Sequence, residues 1–234
     1  MRAFERPVLL PLVMEMFGPL VSGRGRITQA HLRSLEDCVL HTWSSTASRQ
    51  EWLHSIRAAL HLCQRAADWY PQALGLHLYS AIDRVGPVQM EIGMLRQRFW
   101  NCGRASRPDE RFRPILDLYT CLYERLYLLL ATPVVAAHAL LNGGDVTSAI
   151  ANDGRIRPAT VQQLETQRDF RQGLLTAGLD THVRNSISHG RYRVLSGDAI
   201  EMEDRRPPDN KLTWGPHVFS HGQLYDKTVE LDLT

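Results

Sequence analysis

The stretch HVRNSISHGRYRV, residues 182–194, sets Arg184, Asn185 and His189 within six residues and follows them with Gly190 and with Tyr192 between Arg191 and Arg193. These residue types suit phosphodiester cleavage. When an RNA 2′-hydroxyl attacks the adjacent phosphorus it must lose a proton, the leaving 5′-oxygen must gain one, and the added charge on phosphorus must be offset. A histidine serves the first two needs and a guanidinium the third. Asn185 can orient the phosphate or the imidazole, and Tyr192 can stack on a base. The same letters also describe the end of an ordinary surface helix, where the C-terminal dipole attracts a cationic side chain.

Spacing limits what one helix can do with these groups. Arg184 and His189 are five residues apart, which separates them by about 140° around a regular helix, whereas Asn185 and His189 share a face. Two copies of the motif around a symmetry axis can each contribute a different member to one cleft. His182 lies seven residues before His189, on the same face, and reads as a neighbour of the motif.

The motif helix must be short. Asp180 or Thr181 is placed to cap its N-terminus and Gly190 to end it. Before it, RPATVQQLETQRDFRQGLLTAG predicts a helix over 159–178, and a long helical segment runs from about Asp109 to Leu141, bent near Pro133 and stopped at NGGD. Apolar residues at three- and four-residue spacing also mark helical stripes at Leu32, Leu35, Val39 and Trp43, and at Trp52, Ile56, Leu60, Cys63 and Ala67. Pro71, Gly75, Gly86 and Pro87 punctuate the stretch between these stripes and a resumed helix at VQMEIGMLRQRFW, which leads into a loop at NCGRASRPDE. After Gly190 the pattern changes to alternation around Ser196-Gly197-Asp198 and again in KLTWGPHVFS, so a β-hairpin or three-stranded meander is expected from about residue 191, with Ser220 capping a last helix.

Composition bounds the rest. The chain has 234 residues, 44% hydrophobic and 22% charged, with a net charge of +2 too small to announce a nucleic-acid binder. Of its 27 cations 25 are arginines, with lysine only at 211 and 227. Arginine suits bidentate phosphate contacts, although a GC-rich coding sequence gives the same bias. The charge is uneven: residues 94–113 and 155–193 each carry a balance of +4, and residues 198–234 a balance of −4. An anion is drawn to the motif if the acidic tail folds elsewhere.

Cys38, Cys63, Cys102 and Cys121 are widely spaced, so neither a zinc site nor a disulfide framework is expected and reduced cytoplasmic thiols are the simplest reading. His217 and His221 stand at i,i+4 without a third ligand, which argues against metal. The N-terminus is interrupted by Pro7, Pro11 and Glu15, and the apolar run 126–141 falls short of a membrane span, so no membrane association is expected. GPLVSGRGR, residues 18–26, fits no phosphate loop and reads as a linker. No Walker A, GxGxxG, HExxH or GxSxG sequence is present, and no cofactor is called for.

RNSISHG resembles the R-polar-xxx-H motif of the HEPN superfamily, whose members carry an RNxxxHG-like sequence near the end of a helical bundle. The order of a long helix (109–141), a second helix (159–178), the motif helix and a short β segment is similar to that family's domain over about residues 109–205. The resemblance implies a mainly α fold: a HEPN-like antiparallel bundle over 76–234, with a β-rich segment from about 191 and an additional helical region at 1–75. It further implies a metal-independent endoribonuclease with a composite site in a homodimer, a toxin or antiviral effector, in which Arg184, Asn185 and His189 are catalytic. RNA is then the substrate, and a cognate antitoxin such as a nucleotidyltransferase a partner of the kind such proteins have; outside the resemblance, the residue types of Arg191, Tyr192 and Arg193 beside the motif suit them as RNA contacts. Other members of the superfamily are inactive binding or dimerisation modules, and a third reading leaves the motif as a helix cap in a dimeric scaffold.

Overall fold

The computed structural model describes residues 46–143, 146–150, 156, 160, 179–196 and 198–233. The stripe at Leu32–Trp43 and the helix expected over 159–178 lie outside the described residues, apart from the single helical residue Thr160. The described chain is mostly helical and carries one three-stranded antiparallel sheet near its C-terminus. It divides into two units. One holds the described residues up to Val85 together with those from Leu128 to Thr160; the other holds Gly86–Tyr127 and the described residues from 179 onward.

In the first unit, α1 (Thr46–Trp69) buries Leu60 and Cys63, with Ala66 rather than the expected Ala67 completing the stripe. It packs on α5 (Thr132–Leu141), whose Val135, Ala136 and Ala137 are buried. The helix α2 (Pro71–Asn101) begins in this unit and ends in the other, running without a break through Gly75, Gly86 and Pro87. The expected punctuation is overridden for a physical reason. A proline inside a helix costs about 3 kcal/mol, but Leu74, Leu78, Ala81, Val85, Val88 and Ile92 are all buried along one stripe, each large side chain worth about 1.5–3 kcal/mol. Pro71 opens the helix, where a missing N–H is no loss.

In the second unit, a 3-10 turn (Cys102–Arg104) leads into α3 (Pro108–Cys121), again opened by a proline. The run continues through a π-helical turn (Leu122–Tyr127) and passes into the first unit, which holds the short α4 (Leu128–Leu130), α5 and, after NGG, α6 (Val146–Ala149). The irregularity thus falls at 122–131, not at Pro133, which sits in the first turn of α5 where it replaces no hydrogen bond. From Pro108 to Leu141 the run holds 34 residues with an 18-residue window of mean hydropathy 1.3, long and apolar enough by length and composition to cross a membrane. It exceeds the apolar stretch 126–141 because the helix extends upstream; a core helix passes the same test.

The motif helix is α7 (Thr181–Ser188), followed by the meander β1 (Tyr192–Leu195), β2 (Ala199–Arg206) and β3 (Lys211–Ser220), and by α8 (His221–Leu233). Along β2 burial alternates, with Ile200, Met202 and Asp204 inward. The expected cap of α8 forms: Ser220 Oγ accepts from Gln223 N at 3.2 Å while Gln223 Oε1 accepts from Ser220 N at 2.8 Å. Tyr225 of α8 stacks on Phe99 with centroids 4.4 Å apart. α7 packs on β2 and α3, and α3 also supports α8 and β1.

Candidate active site

Both ends of α7 are pinned. Asp180 is its N-cap, its Oδ1 accepting from the amides of His182 and Val183 at 3.1 Å, and Lys227 faces its other oxygen at 3.2 Å. At the C-terminus Gly190 takes φ +63°, its amide donating to Ile187 O and the Arg191 amide to Ser186 O at 2.7 Å. That pairing closes the helix, and a glycine there adopts the left-handed conformation without strain. The chain then enters β1, tied to β2 by Glu203 N donating to Arg191 O.

The three motif residues have different surroundings. Arg184 is largely enclosed: Nε lies 2.8 Å from Glu124 Oε1, one terminal nitrogen donates to Asn185 Oδ1 at 2.9 Å, and the guanidinium carbon sits 5.9 Å from the Tyr123 ring centre. Asn185 accepts that bond and donates through Nδ2 to Asp204 Oδ2 at 3.0 Å, so both ends of its amide are engaged. His189 is the C-cap residue and is exposed; its backbone amide donates to Asn185 O, and its ring makes no hydrogen bond among the described residues. A single copy therefore couples the side chains of Arg184 and Asn185 and leaves the His189 ring apart from Arg184, as the 140° offset requires.

Asp204 is the residue that sequence reasoning passed over. Buried on β2, it receives Asn185 and the Nδ1 of His182, each at 3.0 Å on Oδ2, and faces Arg191 at 3.6 Å. Its own carbonyl accepts from Thr213 Oγ1. The signal was present in AIEMED: period-two alternation puts Asp204 on the face of Ile200 and Met202, where a carboxylate must find partners. His182 completes the group, stacked on Trp214 with centroids 5.4 Å apart and planes 6° from parallel.

The residues expected to hold RNA separate in the same way. Arg191 is drawn inward, donating to the carbonyl of Arg205 and facing Asp204. Arg193, the register partner of Glu201, pairs with it at 3.1 Å across the sheet. Tyr192 is exposed beside a groove of about 770 Å³ that runs between α3 and the end of α7. Five carboxylates line that groove, Glu91, Asp109, Glu110, Asp117 and Glu124, against Arg113 and Arg125. The acidic tail thus folds onto the basic segment: Asp198 pairs with Arg111, Glu201 with Arg193 and Asp204 with Arg191. The net pull on an anion is correspondingly smaller than a separate tail would leave.

Among the described residues no group of three or more His, Cys, Asp or Glu side chains is arranged to hold a metal ion. His221, the second of the spaced histidines, instead contacts Cys102 Sγ through Nε2 at 3.6 Å and packs on Phe112. Burial raises the Cys102 thiol, which opposes a nucleophilic role for that pair. No family model, no curated protein and no solved structure matches the chain.

Proposed function

We propose that the chain is a metal-independent endoribonuclease of HEPN type, acting as a homodimer in the cytoplasm and serving as a toxin or antiviral effector, with a nucleotidyltransferase-like antitoxin among its candidate partners. The observation that carries this reading is the exposed imidazole of His189, held at the closed C-terminus of the motif helix with no hydrogen bond among the described residues. Such a group is free to exchange a proton with a substrate. In this reading Arg184 offsets charge on the phosphorus, Asn185 fixes the guanidinium, and a second copy supplies the member that one helix directs away. End-labelled RNA incubated with the protein in EDTA tests it: the parent yields fragments ending in cyclic phosphate and His189→Ala yields none. Intact RNA from the parent dimer across several RNA types removes the nuclease reading.

A second reading, a non-catalytic RNA- or protein-binding module, is favoured by a different observation. Arg184, Arg191 and Arg193 each face a carboxylate within the unit. Binding without cleavage, weakened by Arg184→Ala with a shallower salt dependence, is its expected signature.

A further inference from the structure

We propose that His182 is a second proton-transferring histidine of the site, the general base, positioned by Asp204 and backed by Trp214. The proposal rests on the endoribonuclease reading. His182 lies within about 20° of His189 around the axis of α7, two turns nearer its start. With Nδ1 at 3.0 Å from a buried carboxylate oxygen, the ring holds its proton on Nδ1 and turns the Nε2 lone pair outward. Nε2 has no hydrogen-bond partner among the described residues, and the side chain is 42% exposed. An imidazole fixed at one nitrogen by a carboxylate and open at the other is the arrangement a general base requires.

The surroundings argue against a purely structural histidine. Asp204 already has Asn185 at 3.0 Å and Arg191 at 3.6 Å, so its charge is met without His182. Trp214 lies flat against the ring, and His217 stands 4.5 Å from Trp214, also exposed. Trp214 fixes the plane of the ring while Asp204 fixes its tautomer. Hydrogen bonds from Arg184 to Asn185 and from Asn185 to Asp204 brace the carboxylate that holds the base.

The step balances without another reactant. Nε2 of His182 takes the proton of the 2′-hydroxyl, the 2′-oxygen forms its bond to phosphorus, and the bond from phosphorus to the 5′-oxygen breaks with its electron pair on that oxygen. Protonated His189 gives its proton to the 5′-oxygen, leaving a 2′,3′-cyclic phosphate and a 5′-hydroxyl. Solvent returns the proton from one histidine to the other.

Single-turnover cleavage of a single-stranded RNA, and of the same RNA with sulfur replacing the bridging 5′-oxygen, separates the roles. A thiolate leaves without a proton, so His189→Ala recovers on the sulfur substrate, whereas His182→Ala stays at least about 100-fold slow on both. Added imidazole restores His182→Ala in part, which it cannot do for a chain that has lost its fold. Asp204→Asn lowers kcat with KM unchanged, as expected when a positioning residue no longer sets the tautomer. The inference is overturned if the parent cleaves and His182→Ala cleaves within about threefold of it, or if His182→Ala recovers on the sulfur substrate. If the parent itself leaves RNA intact in both forms, the nuclease reading fails and the base assignment with it.

Discussion

Oε1 of Glu124 lies 2.8 Å from Nε of Arg184 and also accepts a 2.8 Å hydrogen bond from Ser188 Oγ, so one carboxylate holds the motif helix at two successive turns. A phosphate reaching Arg184 must displace or share that carboxylate. Glu124→Gln removes the competing charge and keeps an acceptor for Ser188. Its expected effect is an RNA dissociation constant lower by about 3- to 10-fold, the scale of a pair worth about 1 kcal/mol. Fluorescence anisotropy with labelled RNA at fixed salt reads this directly, and an unchanged or weaker affinity means that Arg184 does not receive phosphate.

Burial sets the chemistry of the thiols. Cys63 is 1% exposed and its thiol is pushed up from 9.0 to about 12, while Cys102 and Cys121 are raised chiefly by the same cause. At pH 8 a thiol with that pKa is only about 10⁻⁴ ionised, so Cys63 is expected to resist alkylation in the native protein and react on unfolding in urea. The linkage has a definite sign. Between pH 9 and about 12 the unfolded thiol loses a proton that the folded one keeps, so the contribution of Cys63 to stability is full below pH 9 and is lost as pH rises through that window. Rapid native labelling of Cys63 at pH 8, read by mass spectrometry, contradicts the burial on which this rests.

Two glycines give a graded test of the sheet that carries Asp204. Gly190 and Gly215 both take positive φ, +63° and +85°, but they differ in the space around them. A Cβ at 190 meets nothing within 4 Å, whereas one at 215 lies 2.6 Å from the Met202 carbonyl oxygen. Gly190→Ala is expected to cost about 1–2 kcal/mol, the strain of a left-handed alanine alone. Gly215→Ala adds a backbone collision beside Asp204 and should exceed about 3 kcal/mol. Urea unfolding of the two variants checks the order, and equal losses remove the close approach of β3 to β2.

The legible parts of the fold were those written in local chemistry. Asp180, Gly190 and Ser220 are a cap, a stop and a cap because their side chains, or the lack of one, act on neighbouring backbone groups. The meander followed from alternation and turn residues for the same reason. Where sequence and structure diverge, a distant contact outweighs the local signal: Pro87 stays inside α2 because the stripe that passes it through Val85 and Val88 is buried, and the helix after Pro108 changes its winding at Leu122 rather than at Pro133. In the candidate site Arg184, Asn185 and His189 stand out by type and spacing. Asp204 lies nineteen residues beyond Asn185 and was counted only as part of an acidic tail; its partners are set by the pairing of β2 with α7, which no short-range pattern states.

The separation of Arg184 from His189 in one copy makes a quantitative demand on the proposed dimer. Arg184 points toward Glu124 and Tyr123, while His189 is exposed at the helix end; in the proposed homodimer each composite cleft would take the arginine of one copy and the histidine of the other. Arg184→Ala and His189→Ala are then each inactive alone. When equal amounts are unfolded and refolded together, half of the dimers are mixed, and in each of these one of the two clefts receives both native residues. About a quarter of the parent rate per chain should return, by the statistics of a twofold assembly. Complementation at that level, with equal dimer content by sedimentation, locates the cleft across the two copies. No recovery from a mixture shown to contain the mixed dimer means that each cleft needs both residues from both chains, or that they act within a single one.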